Sequence, residues 1–310
     1  MQRLTSLTLT EPAFSIDVSL NDFNLGHTLG SAQCFTWKQL PLDSDEFSAW
    51  TGFIKNKKVT VLQRPEVLEV FTDLPKSDVE YFFSLDSQDF AFQDVLKSLV
   101  IESEHDETLL SAIQMFSGLR LLRQDVWETI ACFISSQNSN VDMIGQRVNL
   151  LCEKFGEKIQ SGYLFPLPSA IANASLDDLN ACKMGYRSSY LKDSASMIAS
   201  GEFSLVELQK MDFQSARAYL LTLPGVGPKV ADCICLFSLN HLSAFPVDTH
   251  VFQILNDFYE VELRHLQGNR KNLRYEDVVL FANKKFGNYC GYAQQYLFHL
   301  HRVAKSNFVK

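Results

Sequence analysis

The 310-residue chain has no apolar run near the roughly 18 residues that a membrane-spanning helix needs, no low-complexity tract and no repeat of solenoid period. Its seven cysteines are scattered and show no C-x-x-C spacing, so neither a disulfide framework nor a cysteine metal site is readable. No cysteine quartet lies toward the C-terminal end, which removes an iron–sulfur cluster from the options. The first 14 residues hold one arginine and no apolar h-region. Neither a secretory nor a transit signal is readable there, and the expected address is the nucleus of a eukaryote or the cytoplasm of a prokaryote, not the secreted space. With 46% hydrophobic and 21% charged residues, the composition is that of a soluble globular protein.

Positive charge is also short. The chain carries 28 Lys and Arg against 36 Asp and Glu, a formal net charge of -8, and taken as an average this argues against a nucleic-acid partner. The average misleads, because residues 1–115 hold 18 acids against eight bases, whereas residues 116–310 hold 18 against 20. The acidity belongs to the first third, and the rest has room for a local basic face. The densest basic run, Arg264 to Arg274, is expected in a polar connector between helices.

From about residue 14 to 75, short alternating stretches such as FSIDVSL and KKVTVLQ, bounded by Gly, Asn, Asp and Pro, predict a mainly antiparallel sheet. Residues 77–115 turn helical, and Asp125 with Glu128 forms a D-x-x-E capping signal ahead of WETIACFISS. From there amphipathic segments alternate with short polar connectors to the end, predicting an all-α region. The fold class is therefore α+β.

Within the helical region LTLPGVGPKVADCICLF stands apart, with Pro224, Gly225, Gly227 and Pro228 between two helical patterns. Glycines allow positive φ and close approach of another molecule, and the first N–H groups of the next helix are unsatisfied donors suited to a phosphate. A plain α–α turn with a capping glycine would use the same residues. Lys229 falls in the first turn of that next helix, where a cation is electrostatically misplaced and a neutral, nucleophilic amine is not. Asp248, nineteen residues on in PVDTH, reads as the N-cap of a helix starting near Thr249.

LPGVGPKVADCICL followed by PVDTH resembles the helix–hairpin–helix (HhH-GPD) DNA glycosylases, specifically the 8-oxoguanine DNA glycosylase/AP lyase type. The resemblance extends to SAQCFTW at 31–37, GLRLLRQD at 118–125, FISSQNSN at 133–140, MGYRSSY at 184–190 and YCGYAQQYLF at 289–298, covering residues 25–300 in matching order. It implies an N-terminal antiparallel β-rich, TBP-like lobe over residues 1–116, and a two-part helical glycosylase lobe over 117–310 with the active site in its cleft. It also implies a monomer that acts on double-stranded DNA containing oxidised guanine, with no cofactor, metal or membrane.

Such an enzyme must extrude the base and stabilise charge as the glycosidic bond breaks. The resemblance implies that Lys229 attacks the sugar C1′ and forms an imine whose β-elimination cuts the strand, while Asp248 orients the lysine and stabilises the cationic sugar. It places Cys233 and Phe298 on the two faces of the flipped base and Gln294 on its Watson–Crick edge. Ala32 stands where the family has a glycine whose carbonyl accepts the N7 hydrogen of 8-oxoguanine, and discrimination against guanine is expected to survive the added methyl group. Asn138 would fill the space left by the base, Tyr186 would be an aromatic wedge and Arg187 would read the opposite cytosine, whereas Met143 occupies the position of a second arginine. A relaxed opposite-base preference is expected. Gly225 and Gly227 would meet phosphates, and His250 matches a phosphate contact. His299 and His301 project from different sides of one helix and are not expected to share an ion. Two other readings are a glycosylase for another damaged purine, which Lys229 speaks against, and a non-catalytic DNA-binding module.

Overall fold

The computed structural model describes residues 11–42, 47–86, 92–267 and 273–308. The N-terminal segment, up to residue 10, lies outside these, as do Arg270 and Lys271 of the basic run. The chain opens with strand β1 (Phe14–Asp17), short helix α1 (Leu25–Gly30), then β2 (Lys38–Leu40), β3 (Ser48–Ile54), β4 (Lys57–Arg64) and β5 (Val67–Phe71). These strands form one antiparallel sheet in the order β1-β5-β4-β3-β2. Lys55 and Asn56, both at positive φ, make the tight β3–β4 turn that matches strand twist. The alternation puts Val59, Val61, Leu68 and Val70 into a core with Trp37, Phe82 and Phe83, closed by helix α2 (Lys76–Phe82). Trp37 stacks on Phe82 at 5.5 Å, and its ring lies where any side chain at Gly52 would sit, 2.5 Å from an added Cβ.

Helix α1 interrupts the stretch expected to be mostly sheet. It is too short to be stable alone. Asn24 caps it, and the buried Gln63 of β4 accepts from Leu25 N (2.6 Å) and donates to Phe23 O (2.7 Å), pinning the helix entrance to the sheet.

Helices α3 (Phe92–Glu102) and α4 (Glu107–Met115) bury Phe92, Val95, Leu99, Leu109 and Ala112 in the helical core rather than under the sheet. That core centres on α5 (Val126–Ser135) and α12 (Pro228–Ser238), both buried almost all round, with Phe133 stacked on Phe237 at 5.5 Å. Around them lie α6 (Val141–Phe155), a two-strand ladder β6 (Lys158–Ile159) and β7 (Gly162–Tyr163), α7 (Pro168–Ala172), α8 (Leu176–Ala181), α9 (Arg187–Ser200), α10 (Leu205–Leu208) and α11 (Phe213–Leu220). After α12 come α13 (Thr249–Phe258), α14 (Glu260–Gln267), α15 (Tyr275–Phe286) and α16 (Cys290–Phe308). Arg264 lies on α14, not in a connector, because the acidic first turn and basic last turn of EVELRHLQ favour helix. No described helix is long and apolar enough to cross a membrane.

The segment GLRLLRQD is an extended strap between the lobes. Arg120 donates to Asp22 O (2.7 Å) and Ser84 O (2.9 Å), and its guanidinium lies 3.7 Å from the Phe92 ring centroid. The buried Gln33 side chain donates to Arg120 O (2.8 Å) and accepts from Leu122 N (2.8 Å), while Gln124 N donates to Phe237 O. All seven cysteines are free thiols.

A second junction lies at the N-terminus of α5, where Asp125 caps the helix by accepting from Glu128 N. The Glu128 carboxylate turns to the sheet lobe and accepts from Thr36 Oγ1 at 2.7 Å. Burial pushes it up from an ordinary 4.5 to about 7, the Thr36 bond pulling the other way. The folded protein thus keeps a proton that the unfolded chain has released, so this contribution is complete below pH 4.5 and is lost as pH rises to about 7. Glu128→Gln removes the dependence. The Tm of the variant relative to the unmodified chain should rise by a few degrees between pH 4.5 and neutral pH in calorimetry, and parallel Tm profiles would contradict the assignment.

Candidate active site

The hairpin between α11 and α12 is held from behind. Gly225 has φ +78, and an added Cβ would lie 2.5 Å from Tyr190 Cβ, so only glycine fits. Ser194 Oγ donates to Pro224 O (2.7 Å) and Gln137 Nε2 to Gly225 O (2.9 Å), tying the turn to α9 and to the loop after α5. Gly227 is different. It is the N-cap of α12 at φ -93, gives no side-chain cap, and an added Cβ would meet nothing within 4 Å. With proline at the first helical position, the next N–H groups of the helix have no intrahelical acceptor.

Lys229, half-buried in that first turn, holds its Nζ 5.0 Å from the Phe133 ring centroid. Asp248 is the N-cap of α13, its side chain accepting from Val251 N at 2.7 Å. The two line one open cleft of about 850 Å³ together with Gly227, Asn138 and His250. Cys233, one turn after Lys229 and 3% exposed, registers both charges: burial pushes its thiol up to about 12, the ammonium opposing this and the carboxylate adding to it.

Of the expected base contacts, Cys233 and Gln294 are buried and Phe298 is half-buried, and none of the three lines this cleft. Gln294 is 5% exposed and its buried Oε1 has no hydrogen-bond donor among the described residues, a costly state for an amide. Phe298 meets the His250 ring edge-on at 6.1 Å, and His301 lies 5.9 Å from the same imidazole. His299 faces elsewhere, packed on Phe116 at 4.3 Å, where burial pushes it down to about 4. Among the described residues no three His, Cys, Asp or Glu side chains are grouped to hold a metal ion. Ala32 is at φ +61 in the turn after α1.

On the other side of the cleft Asn138 is exposed at φ +45, and its Nδ2 donates to the hydroxyl of Tyr186, itself 51% exposed. Arg187 lies under the Tyr186 ring at 4.5 Å, buried, donating to Gln137 O, Asn138 O (3.2 Å) and Met184 O (3.2 Å). Its guanidinium therefore grips the loop that carries Asn138. Met143 is half-buried in the first turn of α6, its amide capped by Asn140 Oδ1.

Two groups of supporting residues escaped sequence reasoning. Arg147, one turn after Met143, is buried and donates to Ser135 O (3.2 Å), Ser139 Oγ (2.6 Å) and Lys183 O (2.8 Å), holding the Asn138 loop from α6 as Arg187 does from α9. Asp232, fully buried on α12, accepts from Arg217 Nε (2.6 Å) and Tyr275 Oη (2.6 Å), and Tyr275 Oη accepts from Val247 N (3.3 Å). This chain fixes the backbone next to Asp248. Burial raises the Asp232 carboxyl above its ordinary range, although both partners lower it. The available signal was a charged residue on an otherwise apolar helix face.

Residues 15–130 match the family model "8-oxoguanine DNA glycosylase, N-terminal domain", and residues 131–274 match "HhH-GPD superfamily base excision DNA repair protein". The N-glycosylase/DNA lyase OGG1 of Arabidopsis thaliana is 30% identical, over 94% of this chain and 80% of the relative. The solved structure of MBOgg1 with a low-affinity DNA ligand has a TM-score of 0.80 at 30% identity, covering 94% of this chain and 96% of the other. The Clostridium acetobutylicum 8-oxoguanine glycosylase/lyase, solved with double-stranded DNA containing cytosine opposite 8-oxoG, has a TM-score of 0.79 at 29% identity, covering 92% and 93%.

The two hairpin glycines should respond differently to alanine. Gly225→Ala forces both a left-handed alanine and a collision with Tyr190, and should cost about 2–3 kcal/mol in denaturant unfolding. Gly227→Ala should cost no more than about 1 kcal/mol, the difference between glycine and alanine as an N-cap. Equal losses would show that the backbone of Gly225 is not constrained as described.

Proposed function

The chain belongs to the 8-oxoguanine DNA glycosylase family of the HhH-GPD base excision repair superfamily, and on that premise we propose that it excises 8-oxoguanine from duplex DNA and cleaves the strand at the abasic site. The observation that carries the reading is the convergence of Lys229 and Asp248, each at a helix N-terminus, on one cleft bordered by Asn138. Phosphates of the damaged strand are received by the N–H groups at the start of α12, where Gly227 leaves the approach open. The base is extruded, and Asn138 and Tyr186 occupy the space it leaves.

The Lys229 amine then attacks C1′ and the C1′–N9 bond breaks, its electron pair leaving with the base, which takes up a proton. The C1′–O4′ bond then breaks, O4′ taking its electron pair and a proton while the new nitrogen releases one, and an imine forms between Lys229 and C1′. Removal of a C2′ proton expels the 3′ phosphate, and hydrolysis of the imine returns the lysine. Asp248 is held by Val251 N with its carboxylate facing the cleft, where it stabilises the oxocarbenium-like sugar as positive charge develops.

Borohydride trapping tests this directly. The unmodified chain should form a covalent adduct with an 8-oxoguanine duplex and Lys229→Gln should form none; an adduct retained in the variant would remove Lys229 from the mechanism.

Opposite-base reading is weaker than a two-arginine clamp would provide, since Met143 supplies no donor and the Arg187 donors are engaged by loop carbonyls. A bidentate arginine contact contributes about 1–3 kcal/mol of discrimination. Without the second contact, single-turnover rates opposite cytosine should exceed those opposite A, G and T by no more than about a hundredfold. A preference of several hundredfold would overturn this part.

A further inference from the structure

The turn after α1 presents four consecutive carbonyls, and three are engaged by side chains from the helical lobe or the strap. Gly30 O accepts from Arg302 Nη2, Ser31 O from Gln295 Nε2, and Gln33 O from Gln124 Nε2, each at 2.8 Å. Ala32 O accepts no hydrogen bond from any described residue. Ala32 is also the residue of the turn at φ +61, a backbone state that costs an alanine about 1 kcal/mol and persists only where its surroundings impose it.

Both α16 donors come from one side of the helix. Gln295 and Arg302 are seven residues apart, two turns, so they share a face, and Gln294 and Phe298, four apart, form the adjacent one. A single rigid helix thus sets the distance between the buried, donorless Oε1 of Gln294 and the carbonyl of Ala32.

We propose that Gln295 and Arg302 are positioning residues for base selection: by holding the carbonyls on the N-terminal side of Ala32, they leave the Ala32 carbonyl as the free acceptor aimed at the extruded base. The inference rests on the 8-oxoguanine reading above. Oxidation at C8 converts N7 from an acceptor into an N–H donor, so a fixed carbonyl attracts the oxidised base and repels guanine. A carbonyl free to swing would lose that selection without affecting reaction at a site that has already lost its base.

The test compares Gln295→Met and Arg302→Met with Arg302→Lys, which keeps a donor. Single-turnover rates are measured on duplexes carrying 8-oxoguanine, guanine or a preformed abasic site, with Tm recorded for each protein. The ratio of 8-oxoguanine excision to abasic-site incision should fall about tenfold in both methionine variants, the effect of one lost hydrogen bond, and less in Arg302→Lys. Parallel loss of both activities, or an unchanged ratio, overturns the inference alone. A parent chain that incises abasic DNA but leaves 8-oxoguanine in place overturns the substrate reading and this inference with it.

Discussion

The burial of α12 against α5 is the constraint on which the rest of the structure depends. Helix α12 is buried over Val230–Ser238, and α5 is buried throughout save Glu128, which is partly buried against the sheet lobe. Two such helices can be satisfied only by packing on each other at the centre of the lobe. Phe133, near the end of α5, stacks on Phe237 near the end of α12 and also meets the side chain of Lys229 from the first turn of that helix. Lys229 then lies over Phe133 at the cleft floor, and the loop carrying Asn138 continues directly from α5 to form the opposite wall. Lys229 and Asn138 line the same cleft because the helices that carry or precede them are packed partners.

The sheet lobe is joined to this core by polar contacts in buried positions. Gln33, Gln124 and Arg120 use their donors on backbone carbonyls across the junction, and each such group is expensive to bury unless its partners are in place. The junction therefore has few alternative arrangements, which a purely apolar interface would not ensure. That matters because the turn bearing Ala32 belongs to one lobe and the helix bearing Gln294 and Phe298 to the other.

Much of this was readable in the residues. The segment VDMIGQRVNLLCEKF coincides with α6, PVDTH places Asp248 as the predicted N-cap, and P-G-x-G marks the turn before Lys229. These signals are local: periodicity, capping chemistry and glycine conformation act within a few residues of one another. Less legible were α1, which is stabilised by Gln63 from a strand almost forty residues away, and the packing of α3 and α4 on the helical core. Arg147 and Asp232 escaped notice for the same reason. Their partners are backbone carbonyls or side chains brought near only by the tertiary fold, and no spacing in the sequence records that.

The two buried arginines near the opposite-base side show how far the missing second arginine is compensated. Arg147 and Arg187 approach the same loop from α6 and α9 and bind its carbonyls and one serine hydroxyl. Their charge fixes the backbone that puts Asn138 at φ +45, a conformation that an asparagine tolerates better than most residues. Cation chemistry on this side of the cleft thus shapes the protein: both guanidiniums are spent on holding a loop whose backbone would otherwise have several arrangements open to it.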